Sequence, residues 1–279
     1  VLFGAFQDTS LVRREFRRLL RWLKDRGITA VVTAERGVQG LTRFGIEEYV
    51  SDCVVDLTQT MWGQTTRRQL RVLKYRGSGH GTNAYPFLIG KQGIHLFAVT
   101  ELGLDYPVSS ERISSGIGRL DEMLGGKGFY RASSILLSGT AGTGKSSINA
   151  GFVQAACARG EKALYVSYEE SKAQIMRNML SIGVDLHPWH AEGMLDFHTV
   201  RVTTCGLEEH FYVIKELIDT KPPEVVVIDP VSNLLQMGSA EEVKNMLTRL
   251  IDLFKSRGIT TMLTELIVDG NPMEGTNTE

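Results

Sequence analysis

Apolar residues recur every three to four positions over 16–26 and again over 247–257, and each run stops at a glycine, Gly27 or Gly258, before a β-branched stretch. That spacing predicts an amphipathic helix, a glycine stop and a strand, the strands falling at 28–33 and 259–264. The segments FRRLLRWLKDRGITAVVTAE (16–35) and LTRLIDLFKSRGITTMLTEL (247–266) align without a gap, which points to a duplicated α/β domain. In this register Val1 stands opposite Ser232, so the first copy is entered just after its counterpart of Asp229. A start at Val1, without an initiator methionine, suggests a trimmed or excerpted product. The expected organisation is the C-terminal half of a first domain at 1–106, a linker at 107–114 and the N-terminal half of a second domain at 115–279.

Between the repeats the pattern predicts strands at 53–57 and 68–74, a hairpin from 85–89 and 93–99, and a polar join over 107–115. Helices follow at 120–124, 146–158, 171–182 and 207–219, interleaved with strands at 134–138, 163–167, 195–198 and 225–228. Strands alternating with helices of this length imply a mainly parallel sheet covered on both faces.

With 279 residues, 42% of them hydrophobic, the chain has material for one large domain or two modest ones. Its net charge of -1 gives no general attraction to nucleic acid or anionic membrane. The basic run Arg13, Arg14, Arg17, Arg18, Arg21, Lys24 and Arg26 has the spacing of a solvated helix face. Cys53, Cys157 and Cys205 are odd in number and far apart, which indicates neither a disulfide framework nor a zinc site and fits a reducing cytoplasm. His187 and His190 bracket Pro188 and Trp189 in an expected loop and lack further ligands for a metal. No apolar run is long enough to span a bilayer, and Val1 opens no signal-peptide pattern.

The chemistry concentrates after the strand at 134–138. Gly139, Thr140, Ala141, Gly142, Thr143, Gly144, Lys145 and Ser146 satisfy G-x-x-x-x-G-K-[ST], with a strand before and a helix after. A chain wrapped around a triphosphate needs backbone angles open to glycine and inward-facing N–H groups. Lys145 supplies a cation for the β- and γ-phosphates, the Ser146 hydroxyl is a Mg²⁺ ligand, and the helix N-terminus adds positive potential. Asp229 ends the apolar run 225–228, as expected of a carboxylate delivered to the metal site. Glu169 and Glu170 follow the strand at 163–167 and are the candidates for a base; alternatively both are helix N-terminal acids favoured by the dipole. Lys74, Arg76 and His80 stand at a strand end, where projection toward a neighbour's nucleotide and simple solvation are equally open.

Ser115-Gly116-Ile117, Leu120 through Gly126, the phosphate loop, Tyr168-Glu169-Glu170-Ser171 and Val227-Ile228-Asp229-Pro230 together resemble the KaiC family of circadian clock ATPases. Lys74-Tyr75-Arg76-Gly77 with His80, and Tyr85-Pro86-Phe87, resemble it too. The resemblance covers essentially the whole chain. It implies duplicated RecA-like P-loop domains in a double-ring homohexamer, with ATP and Mg²⁺ at subunit interfaces, slow hydrolysis and Ser/Thr autophosphorylation. By the same resemblance Thr140 to Ser146, with Ser147 beside them, hold phosphates, Ser146, Asp229 and Glu169 serve the metal, and Glu169 is the general base beside Glu170 and Lys145. Lys74, Arg76 and His80 match elements that reach a neighbouring subunit's nucleotide. The implied partners are clock proteins such as KaiB and KaiA, with neither nucleic acid nor membrane. The expected phosphoacceptor pair lies beyond Glu279, and Thr276 and Thr278 are not given that role. Two other readings remain: a non-catalytic ATP-sensing scaffold, and a RecA- or RadA-like recombination ATPase, the latter disfavoured by neutral charge and the lack of an evident basic and aromatic DNA-binding loop.

Overall fold

The structure, a computed structural model, describes residues 9–35, 50–63, 65–90, 93–96 and 108–267. It divides into two compact units, one of residues 1–59 and 68–87 and the other of 60–67 and 88–279.

In the first unit, helix α1 (Thr9–Asp25) buries Phe16 and leaves Arg14, Arg17, Arg18 and Arg21 in solvent, with the Arg26 guanidinium 4.2 Å over the Trp22 ring. Gly27, at φ +66°, ends it: the Gly27 N–H donates to Lys24 O at 3.0 Å and the Ile28 N–H to Leu23 O at 3.0 Å. This pair of bonds needs a left-handed residue at its centre, which explains the glycine. The expected strand at 28–33 does not form; these residues are irregular, with Val31 91% exposed. A strand exists only by pairing, and among the described residues no strand lies alongside 28–33.

The expected strands at 53–57 and 68–74 lengthen into β1 (Cys53–Trp62) and β2 (Thr65–Tyr75), with Gly63 at φ +56° between them. With β3 (Ala84–Gly90) and β4 (Gly93–Leu96) they form a sheet of order β1-β2-β3-β4, in which β2 and β3 run antiparallel with Leu70 opposite Tyr85. Residues 97–99 of the expected hairpin and Thr276 and Thr278 lie outside the described residues.

From residue 108 on, the second unit holds a two-stranded ribbon, β5 (Arg112–Ile113) against β6 (Phe129–Tyr130), around helix α2 (Gly118–Met123). Part of the expected polar join is therefore built into this unit. Asp121 of α2 accepts from the Ser115 N–H at 2.8 Å, and Gly116, at φ +82°, lets the chain pass against the backbone of Gly151.

The rest is a parallel five-stranded sheet of order β7-β11-β10-β8-β9, made of β7 (Ser134–Gly139), β8 (Ala163–Ser167), β9 (Leu195–Thr199), β10 (Val225–Asp229) and β11 (Thr260–Leu266). Its central strands are buried on both faces: all of β8, and Val225 to Ile228 of β10. Alternate residues serve opposite layers. Ala163, Tyr165, Val225 and Val227 pack with helices α3 (Lys145–Ala158) and α4 (Lys172–Leu180). Leu164, Val166, Val226 and Ile228 pack with α6 (Leu207–Thr220) and α7 (Ala240–Ser256). The 187–191 stretch, expected as loop, is a short helix α5 (His187–Ala191), because Pro188 suits its first turn.

The second repeat reproduces the glycine stop of the first: Gly258, at φ +68°, donates to Lys255 O at 3.1 Å, and the Ile259 N–H to Phe254 O at 2.9 Å. Here the following strand does form, because β7 and β10 flank it. The carboxyl ends of β7, β8 and β10 meet at one edge of the sheet, where ligands bind in open α/β folds. No helix among the described residues is long and apolar enough to cross a membrane.

Candidate nucleotide-binding site

The chain leaves β7 at Gly139 and reaches α3 through a loop that two glycines make possible, Gly142 at φ +78° and Gly144, the N-cap of α3, at φ +90°. A Cβ on Gly139 would stand 2.9 Å from Thr143 Oγ1, and that hydroxyl donates to Thr140 O at 2.9 Å. Lys145 Nζ donates to the carbonyls of Gly139 and Thr140, both at 2.7 Å. The ammonium is thereby held against the carbonyl oxygens at the start of the loop.

Beside the loop is a cavity of about 400 Å³ lined by 141–147, Ser167, Glu169, Glu170, Asn178, Met179, Asp229, Pro230 and Leu266. The structure thus gathers Ala141, Gly142, Thr143, Gly144, Lys145, Ser146, Ser147, Glu169, Glu170 and Asp229, drawn from three strand ends. Thr140 contributes its carbonyl to Lys145 and is absent from the lining.

Asp229 organises the polar floor. Its Oδ2 accepts from Ser146 Oγ at 3.0 Å and from the Tyr165 phenol at 2.7 Å, while Oδ1 accepts from Thr264 Oγ1. Burial, then the adjacent Asp229 charge, pushes the Tyr165 phenol far above its usual pKa, so it stays a donor. The two glutamates differ. Glu170 accepts from Asn178 Nδ2 at 3.0 Å and its N–H donates to Ser167 Oγ at 3.1 Å, whereas exposed Glu169 has no hydrogen-bonding side-chain partner among the described residues. The helix that follows is capped by Ser171, which accepts from the Gln174 N–H, so neither glutamate is its N-cap.

Lys74, Arg76 and His80 belong to the first unit. Arg76 pairs with Asp52 at 3.4 Å and its N–H donates to Asp52 O at 2.9 Å. Lys24, and beyond it Arg76, hold the Asp52 carboxyl below its ordinary pKa. The Nε2 of His80 is buried without a hydrogen-bond partner among the described residues. The other histidines singled out are locally engaged, His187 Nδ1 with Asp185 at 2.9 Å and His190 Nδ1 with Leu195 O at 2.8 Å.

Tyr165, Thr264, Ser167 and Asn178 escaped the sequence reading. Tyr165 and Thr264 sit in apolar strands and carry one polar atom each, which periodicity counts as core. Only their strand positions, each two residues before the last of β8 or β11, hint that those atoms reach the site.

The family model described as the KaiC ATPase matches residues 3–101 and 113–278. The chain belongs to the KaiC ATPase family. It is 50% identical over 266 residues to the circadian clock protein KaiC2 of Synechocystis sp., covering 95% of this chain and 47% of that protein. It is 38% identical over 265 residues to the circadian clock oscillator protein KaiC of Synechococcus elongatus, covering 94% of this chain and 51% of that protein. The KaiC of Parathermosynechococcus lividus is 37% identical over the same length. The chain therefore spans about half the length of the curated KaiC proteins it matches. The two matched segments leave out residues 102–112 between them.

Proposed function

We propose that this KaiC-family chain binds ATP with Mg²⁺ at the 139–146 loop and hydrolyses it. The observation that carries the reading is the 3.0 Å bond from Ser146 Oγ to Asp229 Oδ2, which ties the phosphate loop to the carboxylate of β10 inside one cavity. Because the Ser146 proton is committed to Asp229, its oxygen lone pairs are free for a hard cation. Hydroxyl and carboxylate oxygens from Ser146, Asp229 and Glu169 are a donor set that fits Mg²⁺, with phosphate oxygens and water completing the shell. Bound there, the ion neutralises charge on the β- and γ-phosphates. Lys145 and the loop N–H groups orient the γ-phosphate and stabilise charge on its oxygens. Glu169, exposed and without a hydrogen-bonding side-chain partner among the described residues, accepts a proton from the attacking water; the water oxygen bonds the γ-phosphorus as the bond from that phosphorus to the ADP oxygen breaks, and phosphate leaves.

The same machinery supports autophosphorylation, with a Ser or Thr hydroxyl in place of water and Glu169 taking its proton; the acceptors are not assigned to this chain's residues. The division into a first-domain half at 1–106, a linker at 107–114 and a second-domain half at 115–279 belongs to the same reading, as do a cytoplasmic homohexamer, clock partners such as KaiB and KaiA, and a trans role for Lys74, Arg76 and His80.

ATP labelled on the γ-phosphate tests the reading. Released label marks hydrolysis, protein-bound label marks autokinase activity, and both disappear in Glu169→Gln. Retention of intact ATP with neither signal would replace the enzyme by an ATP-sensing scaffold.

A further inference from the structure

The floor of the nucleotide cavity contains a polar chain that the phosphate loop itself does not require. Tyr165 lies on β8, on the sheet face covered by α3, and its side chain is fully buried. Its ring stacks on Phe197 at 5.7 Å between centroids, with 28° between the planes, which fixes the direction of the phenol. The hydroxyl donates to Asp229 Oδ2 at 2.7 Å, and it receives Asn149 Nδ2, from the equally buried Asn149 of α3, at 3.5 Å. A phenylalanine would fill the same space without placing a polar atom in an apolar layer, where an unpaired hydroxyl is costly. The phenol is therefore held where it is by its bond to the carboxylate.

That bond changes what Asp229 can do. A carboxylate offers about four acceptor positions, two on each oxygen. Oδ2 has both filled, by Ser146 and Tyr165, and Oδ1 has one filled, by Thr264. Among the described residues, a single acceptor position remains, on Oδ1. The carboxylate is thus clamped in one rotamer, open to one further partner.

We propose that Tyr165, supported by Asn149, is a positioning residue that locks the Asp229 carboxylate so that Ser146 and the one open position on Oδ1 face the cation accompanying the nucleotide. This rests on the proposed Mg-ATP function, and it adds a residue outside the phosphate loop to the determinants of metal affinity. Residues that orient a metal site from behind it typically change metal affinity by about 10–100-fold when removed. With Ser146 and Thr264 still bonded to Asp229, the lower end of that range applies.

The test is Tyr165→Phe in the full chain, read by ATP binding across a magnesium titration and in EDTA. The expected result is a rise of about tenfold in the magnesium concentration at half-maximal ATP binding, with ATP affinity in EDTA unchanged. A purely structural role would weaken binding equally in both conditions, and that result, or an unaltered magnesium requirement, overturns the inference. Wild-type protein that binds no Mg-ATP removes the proposed function and this inference with it, whereas wild-type binding matched by the variant removes the inference alone. Should Tyr165→Phe not fold, the wild-type phenolic proton decides. It is expected as a slowly exchanging resonance that moves when magnesium joins the ATP-bound protein; its absence or immobility overturns the assignment.

Discussion

Replacing Asp229 by asparagine or alanine separates the charge of this side chain from its hydrogen bonds. The carboxylate accepts from three hydroxyls, Ser146 and Tyr165 on Oδ2 and Thr264 on Oδ1. An asparagine with its oxygen at the Oδ2 position keeps the first two bonds. The amide nitrogen then faces Thr264, whose hydroxyl can accept from it and donate to the Ile228 carbonyl, 3.5 Å away. Asp229→Asn therefore exchanges charge-assisted bonds for neutral ones and costs about 1 kcal/mol. Alanine supplies no acceptor and strands the buried Tyr165 hydroxyl, while Thr264 is left with its long bond to the Ile228 carbonyl and Ser146 can turn to water in the cavity. At about 1–3 kcal/mol for that unsatisfied group and about 1 kcal/mol for the bond Thr264 loses, Asp229→Ala costs about 2–4 kcal/mol. For a unit of this size each kcal/mol lowers the melting midpoint by about 2–4 °C. Thermal unfolding followed by circular dichroism, paired with Mg-ATP titration, reads both effects. Both variants lose magnesium-dependent nucleotide binding, and alanine lowers the melting midpoint further than asparagine. Equal midpoints for the two variants, or a wild-type magnesium requirement in Asp229→Asn, would refute the reasoning.

Two further outcomes follow from geometry elsewhere. Gly125→Ala meets no atom within 4 Å and carries only the strain of φ +80°, about 1–2 kcal/mol, whereas Gly116→Ala adds a Cβ 2.2 Å from Gly151 O and costs a further 1–3 kcal/mol or so; equal denaturation midpoints would contradict the contact. Burial lowers the imidazole pKa of His198, which the charge of His210 lowers further, and burial lowers that of His210, in part against its bond to Val202 O. The unfolded chain then binds more protons than the folded one, so stability is complete above about pH 6.5 and falls as the pH drops through the folded values. Urea midpoints measured from about pH 7 to pH 5 show this slope, and His198→Gln flattens it; an unchanged slope would assign it elsewhere.

Much of the second unit was legible because local signals and tertiary context agree. The bounds of β8 and the starts of α6 and β10 match the sequence reading residue for residue, and Gly258 stops its helix with the same pair of backbone bonds as Gly27. The identical signal at 28–33 yields no strand, since β-branched residues acquire sheet structure only from neighbours, and β7 and β10 supply those to 260–266 alone. The phosphate loop was legible because its glycines and Lys145 answer to backbone geometry encoded in eight consecutive residues. The different surroundings of Glu169 and Glu170 were not legible, because the Asn178 amide that engages Glu170 comes from a helix turn eight residues on. Tyr165 was illegible for a different reason: its ring satisfies the apolar pattern of a buried strand, and only the fold reveals which acceptor lies above its hydroxyl.

Calorimetric titration of Mg-ATP into the chain and into Lys145→Ala tests the central claim most directly. Saturable uptake by wild type that is lost in the variant is the predicted result, because Lys145 Nζ is the loop's cation and is fixed by the carbonyls of Gly139 and Thr140. A folded wild-type protein that takes up no Mg-ATP, or a variant that binds it equally well, would contradict the account.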